Sequence, residues 1–186
     1  MLTTKKEYEN YIEEIALAVH KKFSDIITVK DYKKEMEICG FKGIYKNNDL
    51  GIIHVEIPSV RSEIKDVKNI FIRLRLNDSD ILEDILKTKK MRKDFMDFVF
   101  ERHKEEFKQN STKMEWKCIK PHSSDIRIEK RIHICKNKGL PPKEEIIEPI
   151  SILAKIDLLD DLRAWEKERL PLFSIKTKIA RIKQPL

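Results

Sequence analysis

Glycine is scarce in this chain, with four residues in 186. Gly40, Gly43, Gly51 and Gly139 match neither GxGxxG nor GxxxxGK(S/T), so the glycine-rich phosphate cradles are excluded as a way of holding nucleotides. Cysteine is rarer still, with three residues. Cys39, Cys118 and Cys135 are an odd, widely spaced set with no CxxC, which argues against a disulfide framework and for reduced thiols. No apolar run approaches the roughly 20 residues of a membrane span. The opening MLTTKKEYENY has no apolar signal segment. These absences lead us to expect a soluble, cytoplasmic protein with no membrane partner.

What is abundant is charge: 38% of residues are Asp, Glu, Lys or Arg, and the net charge is +7. Apolar residues, at 40%, are spread periodically, which argues for a folded domain. At this length a chain buries about 70% of its unfolded surface and needs no staples. The basic excess is not uniform. Residues 111–140 carry eight basic and three acidic groups, and residues 171–186 carry four basic groups and no acid.

Periodicity predicts the elements. Tyr8, Tyr11, Ile12, Ile15, Ala16, Val19 and Phe23 fall at helical spacing. DIITV reads as a short strand, KDYKKEMEICG as a short helix ended by Gly40, and FKGIYKNNDLGIIHVEIP as a hairpin. NIFIRLRL alternates strictly, with Ile70, Ile72, Leu74 and Leu76 facing one way and Phe71, Arg73 and Arg75 the other. Residues 80–107 read either as one helix that turns its face or as two that meet near Lys87–Lys90. MEWKCIK and IRIEKRIHI form a second hairpin, and a C-terminal helix follows in which Pro149 is expected to cause a kink or a split. The expected fold is α+β: a mixed, mainly antiparallel sheet of about five strands with helices packed on it. Residues 1–173 form a single domain in this reading, and 174–186 a basic amphipathic tail with Ile175, Ile179 and Ile182 on one side.

Three constellations carry candidate chemistry. Glu115 and Lys117 stand two apart, as in the (D/E)xK pair with which metal-dependent nucleases hold a divalent cation and a water. This pair follows the long helix, one strand later than the PD-(D/E)xK order places it, so the reading favours a solvated strand face and no catalytic residue. Mg²⁺ is implied only under the nuclease alternative, and no other cofactor is expected. A zinc site from Cys118, His122, His133 and Cys135 can be written, but its spacing matches no common ribbon. The third constellation is basic. Lys87, Lys89, Lys90, Arg92 and Lys93 form one group; Arg127, Lys130, Arg131, Lys136 and Lys138 a second; Lys176, Lys178, Arg181 and Lys183 a third. Phosphate backbones reward such clusters through counterion release, and Trp116 beside the second group is a candidate for base stacking.

Residues 70–173 resemble a family of uncharacterised bacterial domains often appended to nuclease-like domains of presumed defence genes. FVFERHKEEFKQ, MEWK, IRIEKRIHI and RAWEKERL occur in the family's order. The resemblance implies a genome-defence or DNA-linked setting, and no catalytic residues carry over from it. The expected function is therefore a non-catalytic accessory or nucleic-acid-binding protein. A metal-dependent nuclease, and a subunit docking a protein partner through its C-terminal tail, remain alternatives.

Overall fold

The structure is a computed structural model that describes residues 5–23, 27–29, 32–34, 38–46, 50–58, 68–76, 80–109, 116–119, 126–134 and 140–169. The chain opens with α1 (Lys5–Phe23), followed by β1 (Ile27–Val29), β2 (Tyr32–Lys34), β3 (Ile38–Lys46), β4 (Gly51–Pro58) and β5 (Lys68–Leu76). Three helices come next, α2 (Asp80–Ile85), α3 (Lys89–Arg102) and α4 (Lys104–Gln109). The strands β6 (Lys117–Ile119) and β7 (Arg127–Ile134) and the helices α5 (Glu144–Lys155) and α6 (Leu158–Arg169) complete it.

The α+β class holds, but the sheet differs from expectation. Among the described residues every pairing is antiparallel rather than mixed, and the spatial order is β1-β3-β4-β5-β7-β6 with β2 also on β3. Four strands of eight or nine residues, β3, β4, β5 and β7, carry it, and three strands of three residues sit around them. Because β7 pairs antiparallel with both β5 and β6, those two run parallel without touching. The helices α2–α4 cross between them, which makes a split βαβ unit.

Alternation decides which way each strand faces. Ile53 and Val55 of β4, Ile70, Ile72 and Leu74 of β5, and Ile128 and Ile132 of β7 are buried in one cluster with helical residues. Ile15, Val19 and Phe23 come from α1, Phe95, Met96 and Val99 from α3, Ile146, Ile150 and Leu153 from α5, and Leu158, Leu162 and Trp165 from α6. The helices therefore pack on this apolar face. Phe95 meets Trp165 edge to face at 5.7 Å, which locks α3 to α6.

Three local readings are corrected. Residues 32–34 and 38–40 are extended, not helical, and Gly40 lies inside β3. The pairing of Lys33 with Gly40 and of Lys34 with Cys39, and that of Cys39 with Ile57 and of Gly40 with Glu56, outweigh the weak local helical preference of these residues. Pro149 neither splits nor ends α5. It is buried on the stripe of Ile146, Ile150 and Leu153, and this packing carries the helix through the missing backbone donor. The break comes instead at Asp157, whose Oδ1 accepts from the backbone N–H groups of Leu159 (3.0 Å) and Asp160 (3.2 Å) and caps α6. Of the two readings of residues 80–107, separate helices are observed: Thr88 accepts from Met91 N–H and starts α3. A further break at His103 was not anticipated. The tail from 174 lies outside the described residues.

His103 ties that break to α6. Its Nε2 lies 3.1 Å from both carboxylate oxygens of Asp161, which is 1% exposed and also meets Arg102 Nη1 at 3.1 Å. The hydrogen bond to Asp161 raises the His103 pKa, with Asp161 and Glu106 adding attraction, against burial and Arg102. A raised folded-state value means that the contribution is complete below the ordinary value of 6.5 and is lost as pH rises through the folded one. We predict that His103→Gln destabilises the protein by about 1.5–3 kcal/mol at pH 6, the scale of a hydrogen bond to a charged group. Urea unfolding at several pH values should show that difference shrinking towards pH 9.

Candidate nucleic-acid interface

The face opposite the helices is a lattice fixed by strand register. Ile52, Arg75, Arg127 and Ile119 stand side by side across β4, β5, β7 and β6. The next row is His54, Arg73, Glu129 and Lys117, then Glu56, Phe71 and Arg131, then Asn69 and His133. Rows lie about 7 Å apart and neighbouring strands about 4.8 Å apart. Five cations, Arg73, Arg75, Arg127, Arg131 and Lys117, thus share one face with two carboxylates.

Glu129 is the hub. Its side chain is fully buried, and it accepts from Arg73 Nε at 2.7 Å and Arg127 Nε at 2.8 Å on one oxygen and from Arg131 Nε at 2.6 Å on the other. Arg73 also reaches Glu56 through Nη1 at 2.6 Å. Burial alone would push the Glu129 carboxyl up, but hydrogen bonds from Arg131, Arg73 and Arg127 overcome it and hold the group below its ordinary value. The arginines are not equally covered. The side chains of Arg73 and Arg127 are 14% and 15% exposed, while that of Arg131 is 50% exposed. Arg131 is therefore pinned by Nε while half of its side chain stays at the surface. Two guanidiniums lie over the Phe71 ring, that of Arg73 4.3 Å and that of Arg131 5.6 Å from its centre.

The structure sorts the basic groups expected from sequence. Arg127 and Arg131 belong to the lattice. Lys130 does not: it points to the apolar face, is 8% exposed, and lies 5.8 Å from the Trp116 ring. Burial pushes its pKa down against Glu148 and Glu145. Trp116 is 5% exposed and packs on Phe107 at 5.1 Å, so its ring belongs to the core and does not reach the arginine face. Lys87, Lys89 and Lys90 are exposed, and Arg92 and Lys93 half-buried, where α3 begins. Arg92 donates through Nε to the Leu86 carbonyl. This group sits in the helical layer, apart from the sheet lattice. Lys136, Lys138, Lys176, Lys178, Arg181 and Lys183 lie outside the described residues, as does Glu115 of the nuclease pair.

Lys117 is exposed and registered opposite Glu129. With three guanidiniums on it, Glu129 is no ligand for a cation. Cys118 and His133 take opposite faces of the sheet, since Cys118 pairs with Ile128 and His133 aligns with Arg131. One zinc ion therefore cannot join them. Among the described residues no group of three or more His, Cys, Asp or Glu is placed to hold a metal ion, and no helix is long and apolar enough to cross a membrane.

Sequence reading missed Arg73, Arg75, Phe71, Lys117 and Glu129 as members of one site. The alternation in NIFIRLRL and IRIEKRIHI shows each half; only the β5–β7 register joins them. Comparison of the chain with protein-family models, curated proteins and solved structures finds no match.

Removing the hub strands three guanidiniums against one another. We expect Glu129→Ala to lower stability by about 3 kcal/mol, the cost of breaking a buried ion cluster on one side, and Glu129→Gln by less. The depressed pKa sets the pH window: the contribution is present above the ordinary value of 4.5 and is lost as pH falls through the folded one. Denaturation across pH 7 to pH 3 should find the wild type and Glu129→Gln furthest apart at pH 7, with the gap narrowing once the pH falls below 4.5.

Proposed function

We propose that this chain is a non-catalytic nucleic-acid-binding protein that contacts its ligand through the arginine face of the sheet. The observation that supports this reading most is the convergence of Arg73, Arg75, Arg127, Arg131 and Lys117 from three strands on one surface. Two carboxylates leave a positive surplus there, and one of them, Glu129, holds the guanidiniums in place rather than neutralising the face. Arginine suits this role because its planar fork offers donors on two edges. The Nε edge of Arg131 serves the protein and the Nη edge is left for a phosphate. An arginine already ordered in the free protein loses less side-chain entropy on binding.

The resemblance of residues 70–173 adds a setting: an accessory subunit beside a nucleic-acid enzyme of genome defence. In this proposal the sheet face makes the contact, and the cations at the start of α3 serve solubility.

Binding of a fluorescent oligonucleotide, measured from 25 to 200 mM salt, tests the reading. Each phosphate contact contributes about 0.7–0.9 to the slope of log affinity against log salt. Arg131→Ala should weaken binding and flatten the slope by about that amount, while Lys90→Ala should change neither. Equal losses from the two variants, or an affinity that ignores salt, would sink it.

A further inference from the structure

We infer that the ligand of the arginine face is single-stranded nucleic acid, bound with its bases laid on the sheet. The inference rests on the binding proposed above and narrows its substrate class. Three features carry it. First, the face is not a simple run of cations: Phe71 sits inside the lattice, and Ile52 and Ile119 flank the Arg75–Arg127 row, all three half-buried. A duplex presents phosphates and closed base pairs, for which cations suffice. Unpaired bases present flat apolar planes, which need planar or apolar partners.

Second, the planar groups are grouped. The guanidinium of Arg73 lies 4.3 Å and that of Arg131 5.6 Å over the Phe71 ring centre, so an aromatic ring and two guanidinium planes are gathered at one place on the face. Bases stack on both kinds of surface. Third, the phosphate donors share this patch rather than forming a separate ridge. Arg131 and Lys117 are its exposed cations; Arg131 stands two residues along β7 from Glu129, and Lys117 stands opposite Glu129 on β6. A single strand crossing the sheet meets stacking and phosphate contacts together, whereas a duplex reaches only the tips of the cations.

The test uses the full chain with labelled twelve-nucleotide probes: an oligo-dT, an oligo-rU and a blunt duplex of the same length. We expect each single strand to bind at least tenfold more tightly than the duplex. Phe71→Leu removes a plane without changing charge. It should lower single-strand affinity about tenfold, within the range for losing one stacked base, and leave the salt slope and the duplex affinity unchanged. Arg131→Lys, at a half-exposed position that leaves the core intact, gives a second reading should Phe71→Leu melt early. It keeps the charge and loses the plane, so the slope should persist while single-strand affinity falls. A preference for rU over dT assigns the sugar, and either order supports the inference. Duplex binding equal to or tighter than single-strand binding would overturn the inference, as would Phe71→Leu and Arg131→Lys variants that bind like the wild type. Arg131-dependent binding of duplex alone would leave the broader nucleic-acid reading standing. Failure to bind any probe would remove both.

Discussion

The carboxylate of Glu129 is the point on which the outer face of the sheet depends. A buried acid surrounded by apolar groups would take up a proton, and three guanidiniums brought together without an acid would repel one another. Here each problem solves the other. The guanidiniums keep Glu129 ionised, and Glu129 fixes the Nε edges of Arg73, Arg127 and Arg131. Such a cluster adds little net stability compared with an apolar equivalent. Its product is order: long side chains that elsewhere wave in solvent are held in place on a flat surface.

The same strands serve two purposes by parity alone. In β7, Arg127, Glu129, Arg131 and His133 face away from the helices, while Ile128 and Ile132 face the core. Lys130 breaks the apolar side of this rule. It is tolerated because its ammonium reaches the surroundings of Trp116, Glu145 and Glu148. A one-residue slip between β5 and β7 would send the arginines into the helical layer, so the apolar core and the charged face enforce each other's register.

Much of this was readable from sequence, and the remainder failed for identifiable reasons. α1 and the alternating strands carry their period in one stretch of chain, so Ile15, Val19, Ile70, Ile72 and Leu74 were placed correctly. Residues 32–34 and 38–40 were misread because their conformation is set by pairing, with β3 and β4 respectively, and not by local preference. Pro149 does not split the helix, because a buried stripe outweighs a missing donor. The arginine face was half visible: the two arginines of NIFIRLRL were seen to share a side, but Glu129 lies 56 residues from Arg73, and no local pattern announces that pairing. Trp116 illustrates the opposite error, in which nearness in sequence to basic residues suggested a surface role for a core ring.

The split order of the sheet bears on how the molecule is built as it leaves the ribosome. The meander of β3, β4 and β5 is contiguous and can zip as soon as it emerges, giving Arg73 its Glu56 partner early. The other edge of β5 must wait for three helices and β6 before β7 arrives to slot between. Until then the nascent chain carries an unpaired strand edge, the kind of surface on which stray chains add. Arg73 and Arg75 stand on that strand, and their charge discourages a second copy from docking there. The residues that later form the arginine face thus also guard the half-made sheet.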